Sequence, residues 1–192
     1  IVQQAVMALT FLAALFIPLQ YAVLLGVALA VVLYVFQQSN KVTVKAWEIG
    51  PGQYPVEKDP PAVVPPGQVT ILMPYGSLFY AAAPVFSAQL PEVTDATRHA
   101  AVILTLRGQK EVGSTFLNVL TRYAEQLSGQ ESKLMLAGVD LSVLTQMERT
   151  GILHTIGRVN IFPASEGIGE ALLQAVDAAE AWIAAQGVGG AN

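Results

Sequence analysis

Residues 101–106, Ala-Val-Ile-Leu-Thr-Leu, form a continuous apolar run of the kind a β-strand shows when both of its faces are covered. A loop follows over 107–113. After it, 114–127 reads as an amphipathic helix: Phe116, Leu117, Leu120, Tyr123, Ala124 and Leu127 share one stripe, while Asn118, Arg122 and Glu125 fall off it. Ser128-Gly129 ends that helix, and 133–137 (KLMLA) is a second buried strand. Asp140 or Ser142 caps a further helix that carries Leu141, Val143, Leu144 and Met147 and stops at Gly151. A short strand over 159–162 leads to a long terminal helix over 167–185, with Ile168, Leu172, Ala175, Val176, Ala179 and Ile183 facing inward. Strands alternating with helices predict an α/β domain: a mainly parallel sheet with helices packed against it.

Upstream of the opening strand, 68–73 (QVTILM) is a short strand. Pro74-Tyr75-Gly76-Ser77 predicts a tight turn into an antiparallel partner over 78–83 (LFYAAA). Pro84 suits the first turn of a helix running through Phe86 and Leu90 toward Val93, and 94–99 is polar and solvent-facing. Residues 41–49 alternate well enough for a strand with Val42, Val44 and Ala46 on one face. The punctuation by Pro51-Gly52, Pro60-Pro61 and Pro65-Pro66 nevertheless marks 41–67 as an extended connector whose role is tethering.

The first part of the chain has a different character. Residues 5–36 contain no Asp, Glu, Lys or Arg, and as one helix they would be about 48 Å long against a hydrocarbon core of about 30 Å. Pro18 divides the stretch into two short helices, 1–17 and 18–36; one long helix, kinked and tilted, is the alternative. The stretch is apolar all round, unlike a helix that covers a soluble core. Gly26, with Ala22 and Ala30 four residues to either side, makes a small-residue row suited to close helix approach. Gln3, Gln4, Thr10, Gln20 and Tyr21 are its few polar groups, and they suit bonding to neighbouring helices.

All ten Lys and Arg and all fourteen Asp and Glu lie at or after Lys41, so the net charge of −4 belongs to the second part, which lacks the basic stripe nucleic acid requires. With no cysteine there are no disulfides or thiolate metal sites. No basic region opens a secretory signal, and the chain starts inside an apolar run, as a piece of a longer membrane protein would. Lys41 and Lys45, just after that run, place the remainder in the cytoplasm. His99 and His154 are isolated, and no Ser-His-Asp order or paired carboxylate stands out, so neither metal, cofactor nor enzymatic chemistry is expected. Ser114 and Thr115 stand at a helix start, where they would cap free backbone donors. The same helix end, with Arg107, Gly108, Lys110 and Gly113, would suit an anion or a nucleotide phosphate.

Several segments resemble one family. LFIPLQYAVLLGVALAVVLYVF (15–36) is similar to the end of the membrane domain in SulP sulfate permease-like anion transporters. YGSLFYAAA (75–83), VILTLR (102–107), KLMLAGV (133–139) and Arg149-Thr150-Gly151-Ile152 resemble the STAS domain that follows it. The resemblance implies two short transmembrane helices (1–40), a connector (41–67), a STAS domain (68–186) with four to five strands and about four helices, and a tail (187–192). It also implies a plasma- or inner-membrane protein with the STAS domain in the cytoplasm, whose parent moves sulfate or a related anion, often as a homodimer. The partners would be lipid, the rest of the membrane domain, and a nucleotide or regulatory protein. Because the substrate site of such transporters is built by earlier helices, this chain would regulate rather than transport. The competing reading is a membrane-tethered module that binds a kinase or regulator, like the anti-sigma-factor antagonists that share the fold. Those carry Asp-Ser-Ser/Thr-Gly where this chain has Gly113-Ser114-Thr115-Phe116, so the hydroxyls that would be phosphorylated, Ser114 and Thr115, remain without the acid and the trailing glycine.

Overall fold

The computed structural model describes residues 2–39, 42–50, 54–78 and 82–189. The chain divides into two compact units, 1–41 and 42–192. Lys41, Pro51-Gly52, Phe79-Tyr80-Ala81 and the last three residues of the expected tail lie outside the described residues.

The first unit is a pair of helices, α1 (Val2–Phe16) and α2 (Leu19–Ser39), broken at Ile17-Pro18. Proline has no amide hydrogen, so the chain turns there. The Pro18 carbonyl starts α2 by accepting from Tyr21 N at 2.9 Å and Ala22 N at 3.3 Å. Ala22 and Gly26 are buried, whereas Ala30 is exposed. A Cβ placed on Gly26 would stand 2.6 Å from Thr10 Oγ1, so the approach of α1 to α2 at this level requires glycine. Outside that seam most of the described side chains are apolar and exposed, among them Met7, Phe11, Phe16, Leu19 and Leu24, and Gln20 is an exposed polar one. Among the described residues no helix is long and apolar enough to cross a membrane; α1, with 15 residues, is about 22 Å long.

The second unit is built on a six-stranded mixed sheet in the order β2-β1-β3-β4-β5-β6. The strands are β1 (Thr43–Glu48), β2 (Val56–Lys58), β3 (Val69–Tyr75), β4 (Ala101–Thr105), β5 (Lys133–Val139) and β6 (Ile161–Pro163). β3 to β6 run parallel, and β1 is antiparallel to both β2 and β3. Every residue of β4 is buried, as its unbroken apolar run requires. Its even-numbered side chains, Val102 and Leu104, enter the larger core with Leu72, Leu134 and Leu136, and Ala101 and Ile103 enter a smaller core on the other face. The larger core is closed by α3 (Ala83–Ser87), α4 (Ser114–Gly129), α5 (Leu141–Thr150) and α6 (Ile152–Ile156). At its centre Phe116 lies against Phe86, ring centroids 4.7 Å apart. The smaller core is covered by α7 (Glu170–Gly189) through Leu172, Ala175 and Ala179.

Several expectations are corrected. The sheet begins at Thr43, and the connector is part of the domain: Val64 is fully buried, and Val64 N and Gly67 N donate to Glu92 O and Arg98 O. The expected hairpin partner, 78–83, lies partly outside the described residues, and β3 has no free edge to receive it. Both edges of β3 are already occupied, by β1 on one side and β4 on the other, and the chain from Ala83 enters α3. That helix ends at Ser87, far short of Val93. Thr97 is fully buried rather than solvent-facing, its hydroxyl donating to Val64 O at 3.1 Å. Ile168 is 92% exposed because α7 starts two residues later, and α7 continues to Gly189, through the first half of the expected tail.

Candidate functional site

The loop between β4 and α4 carries the residues singled out for an anion. Gly108, at φ +84, lets the chain turn back so that Gln109 N donates to Leu106 O at 3.0 Å. Beyond the turn the loop is fastened to α5: Ser142 Oγ donates to Lys110 O, and Val112 N donates to Gln146 Oε1 at 3.4 Å. The N-cap of α4 is Gly113, with extended backbone and no side-chain hydrogen bond. Ser114 and Thr115 are already helical, so neither hydroxyl stands where a capping group must, which corrects the expectation that they cap.

The six residues do not converge. Lys110 and Gly113 line a cleft of about 480 Å3 with Glu111, Ser142, Thr145 and Arg149, the last three contributed by α5 and not foreseen. Arg107 turns to the opposite face of the sheet, where its Nη1 donates to Ser165 O and Gly167 O, both at 3.2 Å. Gly108 lines neither cleft. The α5 side of the first cleft is organised by Asp140, the true N-cap, whose carboxylate accepts from Ser142 N at 2.9 Å and stands 2.8 Å from Ser142 Oγ, whose single proton is shared between Asp140 and the Lys110 carbonyl.

These bonds hold the Asp140 carboxyl below the usual carboxylate range. A lowered folded-state value means that the stabilisation is complete above the unfolded value near 3.8 and is lost as pH falls through the folded one. In an acid titration the thermal midpoint of Asp140→Asn is therefore expected to sit below wild type at pH 7 and to converge with it as pH falls through the folded-state value. A constant difference down to pH 2 would show that the carboxylate charge is not involved.

The second cleft lies on the α7 face. It has about 90 Å3 of space among Trp47, Met73, Thr105, Arg107, Gly138 and Leu172, with further α7-end residues. Gly138, at φ +70, stands where the β5–β6 register shifts, and a Cβ there would lie 3.0 Å from Arg107 Cβ. His99 approaches Glu131 at 3.4 Å and His154 is exposed; among the described residues no three His, Asp or Glu side chains gather as a metal site would need.

The second unit is thus an α/β domain, a largely parallel sheet with β1 and β2 added at one edge, helices on one face and a single long helix on the other, and in the chain it follows an uncharged helix pair. The chain belongs to the STAS domain family, whose model matches residues 60–168. Among solved structures it resembles the murine Solute Carrier 26 family member A9 anion transporter in its inward-facing state, at 17% identity and TM-score 0.64, covering 92% of this chain and 28% of that one. It also resembles a second SLC26A9 structure, at 19% identity and TM-score 0.62, with 92% and 30% covered. A sulfate transporter family protein from Wolinella succinogenes matches at 22% identity and TM-score 0.50, with 63% and 91% covered. The chain thus spans under a third of the SLC26A9 chains it matches. No curated protein sequence matches it.

Proposed function

We propose that the chain is the C-terminal regulatory and interaction portion of a SulP-type secondary anion transporter. In this reading α1 and α2 lie in a plasma or inner membrane with the STAS domain on the cytoplasmic side, acting on assembly or transport rate without carrying anions itself. The supporting observation is the combination, in one chain, of a STAS domain with a proline-broken, uncharged helix pair that exposes apolar side chains. The 92% overlap with SLC26A9 exceeds what residues 42–192 alone could supply, so the likeness reaches into the helix pair. Exposed apolar surface is unfavourable in water by about 25 cal/mol per Å2, and lipid or neighbouring helices would remove that cost.

The test is uptake of labelled sulfate, bicarbonate and dicarboxylates by the complete parent protein, with and without residues 60–189. Saturable uptake whose rate or oligomeric state changes on removal of the domain supports the reading. No uptake by the complete protein, together with capture of a kinase, would favour the tethered signalling module instead. Within the same reading, Lys110, Gly113 and Arg149 form the proposed contact for a phosphate-bearing regulator, since two cations flank the amide end of α4. A nucleotide titration that moves no amide in 110–116 would remove that contact.

A further inference from the structure

The two faces of the sheet are covered unequally. Four helices close the larger core, whereas α7 alone lies on the other face. Six strands about 4.8 Å apart make a face about 24 Å wide, and a helix with its side chains is about 10 Å across. The side of β1 and β2 is therefore left open: the buried strand residues of the smaller core come from β3, β4 and β5, and Trp47 of β1 is only partly buried. Met73 and Tyr75 share its face, since they pair with Lys45 and Thr43 as Ile71 pairs with Trp47, and Tyr75 is 42% exposed. The open strip is about one helix wide.

A groove follows the open side of α7, with a pit to either side of Trp47, which lines both. The first pit, of about 90 Å3, meets α7 at Ala171 and Leu172 and has Ile168 at its rim; the second, of about 330 Å3, meets it at Val176 and Glu180 and is walled by Ile49 and Ile71. The second lies about 10 Å, or about two turns, further along the helix. A helix laid beside α7 would bring side chains at i and i+7 to the two pits. A strand laid flat there would leave its own amides and carbonyls unpaired.

Charge narrows the occupant further. Residues 159–192 carry Glu166, Glu170, Asp177 and Glu180 and no Lys or Arg. None of these four acids joins an ion pair among the described residues. The basic groups on β1 and β2 and beside α7 are committed: Lys45 to Asp59, Lys58 to Glu48, Arg107 to the Ser165 and Gly167 carbonyls, and Lys133 to the Trp182 ring. The charge left unmet along this side is negative.

We propose that the groove between α7 and β1 docks a basic amphipathic helix of a partner protein, its apolar stripe seated in the pits beside Trp47 and its Lys or Arg side chains facing Glu180 and the neighbouring acids. The surface is independent of the transport reading, and it lies on the opposite face of the sheet from the cleft at Lys110.

The experiment places the full chain, labelled with 5-fluorotryptophan, in phosphatidylcholine nanodiscs, with empty discs as the blank. It titrates a Leu/Lys peptide of about 18 residues, with leucine at i, i+3, i+4 and i+7 so that it folds as an amphipathic helix. Trp47 and Trp182 are the only tryptophans, so the fluorine spectrum holds one signal in the groove and one outside it. Saturable movement of the Trp47 signal with Trp182 unmoved is expected. Ile168→Ser and Glu180→Lys change exposed side chains, so each should leave the fold intact and weaken the peptide about tenfold. Glu125→Lys makes the same charge change on the exposed face of α4 and should bind as wild type. A Leu/Glu peptide of the same pattern, and a Leu/Lys peptide of the same composition in scrambled order, should each bind weaker by about tenfold or more. Equal binding of the scrambled peptide would mean general charge attraction and equal binding of the Leu/Glu peptide general apolar adhesion; either overturns the proposal. So would a loss in Glu125→Lys that matches Glu180→Lys, or a Trp47 signal that stays still. A Trp47 signal that shifts with protein concentration before any peptide is added would assign the face to a second copy of the chain and overturn it too.

Discussion

Phe116→Ala is expected to remove about 3–5 kcal/mol of unfolding free energy from the α/β unit. Phe116 is fully buried on the inner stripe of α4, and its ring meets Phe86 at 4.7 Å in a tilted pair. Truncation loses the transfer free energy of the ring, the aromatic contact and the packing of whatever cavity remains, because α3 and α4 are joined to a sheet that cannot collapse onto the gap. Total stabilities of about 5–15 kcal/mol are usual, so the variant should be visibly marginal. Urea unfolding followed by circular dichroism measures the loss, with the exposed Asn118→Ala as a control expected within about 0.5 kcal/mol of wild type. A Phe116→Ala loss under about 1 kcal/mol would mean that α4 is not docked as described.

Gly138→Val should be nearly as damaging, on the order of 4 kcal/mol, for a different reason. At φ +70 a β-branched residue is strained in itself, and its Cβ would also press on Arg107 Cβ at 3.0 Å. Relief would come by pushing Arg107 outward, breaking its bonds to Ser165 and Gly167, so the loop before α7 should loosen as well. Gly138→Ala, with the same positive φ but no branch, should fall between the two. Hydrogen exchange separates the effects: faster exchange confined to 164–172 reports the loop, whereas faster exchange throughout reports global stability. Unchanged exchange and unchanged stability in the valine variant would contradict the described approach of the two chains.

The sequence made β4, β5 and α4 legible because each carries a local pattern that burial imposes: an unbroken apolar run for a strand covered on both faces, a 3.6-residue stripe for a helix covered on one. What failed was pairing. Residues 78–83 have a plausible strand composition, but whether β3 has a free edge depends on β1, some thirty residues earlier, and nothing local reports it. The same long-range term turned 60–67 from a loose connector into a pinned segment through Val64 and Thr97. Ile168 shows a related error, an apolar residue at helical spacing that sits before the helix begins. At the sites, neighbourhood in sequence was misleading: Arg107 and Lys110 are three residues apart and serve opposite faces of the sheet, while Arg149 and Ser142, which do join Lys110, come from another helix.

The placement of β1 has a mechanical consequence. Although its residues precede the segment matched by the family model, β1 lies inside the sheet, with β2 on one side and β3 on the other, and it is where the chain from α2 enters the domain. For a tension applied at Val42 along the strand, the ladder bonds from Thr43 to Trp47 lie across the pull. They must then shear together rather than open in turn. A strand placed this way resists a pull along its length far better than one that peels it away.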